Sequence, residues 1–210
     1  MGLSPRSHNA TSYAGAALVY VLVLPQPELS LASILWITHF TRRALESLFL
    51  FHFSQPEVPL ADSIQEFVYY WAFAAWIGAS VRLSDGLGAA QVTGAAVWLF
   101  AEGANFFCHC TLAAQKGSKK DGARRIVMGP LLFSQVSCPH YFFEILSWVG
   151  FNIATNFTRA GVAFAAVGAL IMTCWAIQKH ESYVKCRRTP IFPFLDVRPP
   201  QFLVEALAKK

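Results

Sequence analysis

The sequence predicts an all-α integral membrane protein, a bundle of about six transmembrane helices. Hydrophobic residues make up 55% of the 210 residues and charged residues only 14%, whereas a soluble domain carries about 25% charged residues. The apolar residues fall into about six segments, each near the length that spans a bilayer. The net charge of +5 is typical of basic loops on one side of a membrane, so it does not indicate nucleic acid binding.

The six segments define the domain organisation. They run about from Tyr13 to Leu24, Ser30 to Phe53, Ile64 to Val81, Ala90 to Ala113, Val127 to Ala154 and Ala160 to Ile177. Residues 1–11 are a short polar N-terminus, and residues 12–186 form one transmembrane domain. Residues 187–210 are a Pro-rich tail that closes with a short amphipathic helix on the surface.

Basic residues cluster in the loop from Gln115 to Arg125 and in the tail after the sixth segment. Six crossings place this loop, the tail and the N-terminus on one face. The positive-inside rule assigns that face to the cytosol or its equivalent. The five cysteines show no zinc-binding spacing, and Cys108 and Cys110 point to different sides of a helix. No metal site is therefore predicted.

The second segment contains three charged residues. Arg42 and Glu46 are separated by four positions and can pair on one helix face. Arg43 points elsewhere and needs another acceptor, such as Glu144 or a phosphate. The alternative is that the segment begins later, with all three residues near the membrane interface.

Two more apolar segments carry polar stripes at helical spacing. Glu102, Asn105 and His109 form one, and Tyr141, Glu144 and Trp148 form the other. Because a carboxylate at membrane depth is costly without a partner, the stripes predict a shared polar cavity. The alternative for Glu144 is a buried hydrogen bond that serves packing alone.

Several motifs follow one another in order along the chain. They are Ser12 to Gly15, His39-Phe40 with Arg43, Tyr69 to Trp76, Asn105-Phe106 with His109, Ser137 to Gly150, Lys179-His180 with Ser182, Tyr183 and Lys185, and Pro190 to Phe194. Together they resemble the reductase domain of very-long-chain trans-2-enoyl-CoA reductases, relatives of the steroid 5α-reductases. The resemblance covers nearly the whole chain, without the family's N-terminal ubiquitin-like portion.

The resemblance implies a helix bundle that holds NADPH in the endoplasmic reticulum membrane. In such a reductase hydride goes to the β-carbon of an enoyl thioester, and a tyrosine protonates the α-carbon. Tyr141 matches this tyrosine, and Arg42 stands at the position of an assisting lysine. The positions that match the cofactor site are Asn105, His109, Glu144, His180, Tyr183 and Lys185.

The chain also departs from the family pattern. Phe40 replaces a tyrosine, Ala61 and Ala113 replace arginines, Glu181 stands at a basic position, and His140 replaces an asparagine. In the family, the arginine that Ala113 replaces binds the cofactor's phosphates, as the resemblance implies. Each charge-assisted hydrogen bond to phosphate is worth about 1.5–3 kcal/mol, so these changes predict weak NADPH binding.

Two hypotheses follow. In the first, the chain is a degenerate reductase without cofactor, retained as a structural and lipid-binding subunit of a larger membrane complex, such as an assembly of the mitochondrial inner membrane. Its partners would then be membrane lipids and other membrane subunits, which suits the crowded aromatic residues from Tyr69 to Trp76. In the second, it is an active NADPH-dependent trans-2-enoyl-CoA or steroid-type reductase that acts on fatty acyl-CoA.

Overall fold

Within the residues that the computed structural model describes, namely 2–25, 30–80, 88–116, 133, 135–183 and 193, the chain forms six α-helices. They are α1 Pro5–Leu22, α2 Leu31–Leu45, α3 Leu60–Ser80, α4 Ala89–Lys116, α5 Pro139–Ala154 and α6 Arg159–Tyr183. A π-helical turn, Glu46–Leu50, continues α2. Two short strands, β1 Gly2–Leu3 and β2 Val58–Pro59, pair antiparallel. The predicted all-α class is confirmed, apart from this two-residue ladder.

The first helix begins at Pro5, earlier than the predicted start near Tyr13. Ser4 caps it, because its side-chain oxygen accepts a hydrogen bond from the backbone nitrogen of Ser7 at 3.1 Å. Pro5 suits the first helical turn, where its missing N–H costs nothing. The residues after it are polar, so an apolar pattern could not reveal them as helix. Local capping chemistry, rather than hydrophobicity, sets this end.

The fifth helix begins at Pro139, not near Val127 as predicted. The backbone nitrogen of Phe142 donates to the carbonyl oxygen of Cys138 at 3.4 Å, which places Cys138 at the cap. Other predictions fall outside the described residues. They concern most of the basic loop from Gln115 to Arg125, nearly all of the tail 187–210, the residue Lys185 and the side chains of Glu181 and Tyr183.

The prediction of six membrane spans is not confirmed. In the described part of the chain, one helix is long and apolar enough to cross a membrane, Arg159–His180 within α6. By contrast, α5 has 16 residues and extends about 24 Å, less than the roughly 30 Å of a hydrocarbon core. The apolar runs predicted helices correctly, but the length of a run did not show whether its helix is long and apolar enough to cross a membrane.

The chain divides into two compact units, and each is described separately. The first contains residues 1–98 and 149–164, and the second contains residues 99–148 and 165–210. In the first unit α1 packs against both α2 and α3. Trp36 and Phe40 are completely buried at its centre, and the Trp36 ring contacts Phe151 and Phe164. Its indole nitrogen donates to the carbonyl oxygen of Ala16 at 3.2 Å.

Glycines allow α4 and α5 to approach closely inside the first unit. A Cβ atom on Gly150 would lie 2.6 Å from the backbone nitrogen of Trp98 and 2.9 Å from the carbonyl oxygen of Gly94. A Cβ atom on Gly94 would lie 2.7 Å from the carbonyl oxygen of Gly150. These neighbours are backbone atoms, which cannot move aside as a side chain can. The pair therefore fixes the spacing of the two helices.

Gly94→Ala is expected to lower the free energy of unfolding by about 1–3 kcal/mol, the usual cost of overpacking. Gly103→Ala is the matched control on the same helix, because an added Cβ there meets no heavy atom within 4 Å. It should leave stability unchanged or raise it, since alanine favours helix over glycine. Thermal unfolding of the detergent-solubilised variants measures both effects. Equal melting temperatures for the two variants would contradict the close approach.

The second unit has its own apolar core. One cluster joins Ala104 and Cys108 of α4 to Phe133 and to Phe143 of α5. Another joins Cys138 to Ala176 and Ile177 of α6, with Tyr141 packed against it. These two clusters hold the beginning of α5 between α4 and the last turns of α6. The first turns of α5 are therefore packed on both sides within this unit.

Candidate active site

Tyr141 lies in the first turn of α5, where the second unit's helices meet. It is half-buried, and its hydroxyl oxygen accepts a hydrogen bond from the ammonium nitrogen of Lys179 at 2.7 Å. The same nitrogen lies 4.5 Å from the centre of the Tyr141 ring. A cation thus contacts both the oxygen and the π-face of this tyrosine.

A second polar contact lies beside the first. The hydroxyl oxygen of Ser137 is 2.7 Å from the Nδ1 atom of His180. Ser137 precedes Tyr141 by four positions and His180 follows Lys179 directly, so the two contacts join the same helix ends. The rings of His140 and Trp175 lie 4.1 and 6.1 Å from the Tyr141 ring. These contacts fix the phenol in position.

The predicted stripe on α4 faces the interior of the same unit. Glu102, Asn105 and His109 are all buried, and Asn105 is completely so. The Asn105 side-chain amide donates to the carbonyl oxygen of His140 at 2.9 Å. The His109 and His140 rings lie 6.1 Å apart. The spacing of these residues therefore predicted their shared face correctly.

The predicted stripe on α5 is less uniform. Trp148 is buried at 4% exposure, while Tyr141 and Glu144 are half-buried. The carbonyl oxygen of Glu144 accepts a hydrogen bond from the hydroxyl of Ser147 at 2.8 Å. Which of the two predicted roles the Glu144 carboxylate has, cofactor binding or packing, stays a prediction.

The charged residues of the second segment form a cluster in the first unit, with Glu46 buried and both arginines half-buried. Glu46 accepts hydrogen bonds from both Arg42 and Arg43, the latter at 2.7 Å. The predicted pair of Arg42 and Glu46 is confirmed. The prediction that Arg43 points away from Glu46 is wrong, because positions 43 and 46 also share a helix face. Arg43 also donates to the Tyr13 hydroxyl at 3.3 Å.

The structure brings together only part of the predicted set. Asn105, His109, Tyr141 and His180 belong to the second unit, whereas Arg42 belongs to the first. The common cavity and the catalytic role of Arg42 therefore stay predictions. Lys179 is the residue that sequence reasoning missed, although it belongs to one of the family motifs. Its signal was a lysine near the end of an apolar helix, next to a histidine.

The described part of this unit suits the neutral portion of a dinucleotide. Asparagine, histidine and serine side chains offer donors and acceptors for a carboxamide and a ribose. Among the side chains that the structure describes in the second unit, Lys179 is the sole lysine or arginine. It contacts Tyr141, so the cations that would neutralise phosphates have to come from other residues. Lys116, Arg124 and Lys185 belong to the same unit, and their side chains lie outside the part that the structure describes.

Comparisons with known proteins show which family the chain is similar to. A family model described as 3-oxo-5-alpha-steroid 4-dehydrogenase matches residues 57–193. The protein of Trypanosoma brucei brucei named "Putative enoyl-CoA reductase" is 37% identical over 77% of this chain and 56% of its own length. The very-long-chain enoyl-CoA reductase of Dictyostelium discoideum is 34% identical over 73% of this chain and 51% of its own.

A human relative, trans-2,3-enoyl-CoA reductase-like, is 27% identical over 87% of this chain and 58% of its own length. The chain therefore spans between half and three-fifths of these relatives. The match of the family model begins after the Arg42 cluster and includes Tyr141 and Lys179.

Proposed function

The chain belongs to the 3-oxo-5-alpha-steroid 4-dehydrogenase family, and we propose that it reduces the carbon–carbon double bond of a trans-2-enoyl-CoA with NADPH. The observation that carries the proposal is the half-buried Tyr141 phenol, fixed between α5 and the last turns of α6 inside the matched region. A phenol held in one place is suited to donate a proton to a carbon atom. Relatives that bear the name enoyl-CoA reductase supply the substrate class.

Tyr141 acts as the general acid in this proposal. NADPH, when bound, supplies the hydride that is added to the β-carbon. The Tyr141 hydroxyl then gives its proton to the α-carbon, and the oxygen is left as a phenolate. In this proposal Asn105, His109 and His180 hold the neutral part of the cofactor, with Tyr183 and Lys185 assigned by resemblance. Arg42 stands at the position of an assisting lysine by resemblance alone, and its catalytic role stays a prediction.

We place the six helices in a membrane, that of the endoplasmic reticulum by family resemblance. Large apolar side chains are exposed on every helix: Leu22 on α1, Ile34 on α2, Val68 on α3, Leu99 and Phe100 on α4, Val149 on α5 and Leu170 on α6. Exposed apolar surface of this extent is typical of contact with lipid. A helix too short to span alone is accommodated by local thinning of the bilayer and by snorkelling of its flanking side chains.

The degenerate-subunit hypothesis receives no support from the relatives. The trypanosomal, Dictyostelium and human proteins all carry names that refer to enoyl-CoA reductases, including the reductase-like human protein. The departures at Ala113 and Glu181 remain the reason to measure cofactor affinity. Lys116, three positions after Ala113, and Arg188, seven positions after Glu181, are the candidates to compensate for these changes. We therefore favour the active enzyme.

The test is turnover by purified protein in mild detergent. With trans-2-hexadecenoyl-CoA we expect NADPH to be consumed and saturated acyl-CoA to form in equal amounts. The saturated acyl-CoA is the control substrate and should consume no NADPH. Titration should show saturable NADPH binding. Binding too weak to saturate, together with no product, would restore the degenerate hypothesis.

A further inference from the structure

The contact of Lys179 with the Tyr141 hydroxyl suggests a chemical role in addition to packing. Its nitrogen donates to the Tyr141 oxygen at 2.7 Å and also lies 4.5 Å from the ring centre. A lysine that merely extended toward water would have no reason to end on a phenol, since its ammonium is strongly hydrated. The Ser137–His180 pair, with 2.7 Å between Oγ and Nδ1, also joins the residues before α5 to the last turns of α6. Two polar contacts therefore connect these two parts of the unit.

We infer that Lys179 stabilises the Tyr141 phenolate and returns a proton to it in each catalytic cycle. This inference rests on the proposed function. When the Tyr141 O–H bond breaks, its proton goes to the α-carbon and the electron pair stays on oxygen. An ammonium already bonded to that oxygen stabilises the new charge. One Nζ–H bond then breaks as the O–H bond re-forms, and the neutral amine regains a proton from water.

The position of Lys179 supports the second half of this cycle. It lies at half-buried depth, four residues before the end of α6 and next to the end of its apolar stretch Arg159–His180. A membrane helix reaches the water interface at such a place. Lysine can give up a proton, whereas arginine stays charged in proteins. Comparing lysine with arginine at position 179 therefore distinguishes stabilisation of the phenolate charge from return of the proton.

Three single variants of the chain test the inference. Lys179→Met keeps the apolar stem and removes the charge. We expect kcat to fall about ten- to a hundredfold, the range for one charge-assisted hydrogen bond, with NADPH affinity unchanged. Lys179→Arg keeps the charge but cannot return a proton, so its first turnover should be faster than that of Lys179→Met while steady-state turnover stays slow. Lys179→Ala should regain activity when ethylammonium is added.

A readout that needs no turnover accompanies them. In protein labelled with ¹³C at Cζ of tyrosine, the Tyr141 signal is the one missing from Tyr141→Phe. It should shift in Lys179→Met because its hydrogen bond is lost. The control is Thr173→Val on the same helix, since the Thr173 hydroxyl donates to the carbonyl oxygen of Ala169 in its own helix at 2.7 Å. This control should change neither rate nor spectrum.

The outcomes separate the inference from the proposed function. An inactive wild-type protein would remove the reductase and the role of Lys179 together. An active wild-type protein with an equally active Lys179→Met would overturn the role of Lys179 alone. The role of Lys179 would also be overturned if Lys179→Met lost activity but two rescues failed. These are a faster first turnover in Lys179→Arg and recovery of Lys179→Ala by ethylammonium.

Discussion

Tyr141→Phe is expected to lower kcat for enoyl-CoA reduction by about 10²–10⁴-fold, the usual contribution of a general acid. The change removes one oxygen and keeps the ring that packs against the Cys138, Ala176 and Ile177 cluster. NADPH affinity should change little, because the proton is transferred only in the transition state. Steady-state kinetics with a parallel cofactor titration measures both quantities.

The matched control is Tyr69→Phe. Its hydroxyl donates to the carbonyl oxygen of Phe164 at 3.4 Å in the first unit, so the variant removes a tyrosine oxygen with a structural partner. We expect near wild-type turnover from it. Equal losses in the two variants would show that Tyr141 serves stability rather than chemistry.

Glu46→Ala should lower the free energy of unfolding by about 3–5 kcal/mol. The Glu46 side chain is only 2% exposed and receives both Arg42 and Arg43. Without its carboxylate, two guanidinium groups lose their shared counter-charge inside the first unit. Thermal or denaturant unfolding in detergent measures the effect.

Glu57→Ala supplies the comparison, because Glu57 is exposed. Surface changes of this kind usually stay within about 0.5 kcal/mol. Replacing Arg43 and Glu46 together, Arg43 by Met and Glu46 by Leu, should recover part of the loss, since fewer charges are then left unmatched. A Glu46→Ala variant as stable as Glu57→Ala would contradict the buried charge cluster.

The apolar runs of the sequence predicted the helices well, but they located the helix ends poorly. The predicted and observed spans of α3 agree closely, because apolar residues fill that helix from near its start to its end. At α1 the start depends on the Ser4 cap and Pro5, which carry no apolar signal. The π-helical turn after Leu45 was not predicted either. Its bond from the Phe51 nitrogen to the Glu46 carbonyl oxygen, at 2.9 Å, depends on backbone geometry that periodicity does not report.

The contacts of the candidate site were also only partly predictable from the sequence. Within one helix the contact of Arg42 with Glu46 and the shared face of Asn105 and His109 were predicted, whereas the contact of Arg43 with Glu46 was missed. Contacts between helices were not predictable. Lys179 and Tyr141 are 38 positions apart, and their contact depends on how α5 packs against α6. The sequence alone could place both residues in motifs without showing that they touch.

Isotope transfer measures the proposed reaction most directly. Wild-type protein is incubated with trans-2-hexadecenoyl-CoA and NADPH deuterated at the transferable C4 position, and the product is examined by mass spectrometry and NMR. In ordinary water we predict one deuterium at the β-carbon. With unlabelled NADPH in heavy water we predict one deuterium at the α-carbon, delivered through Tyr141. Product without cofactor deuterium at the β-carbon, or no saturated product at all, would contradict the proposed reductase.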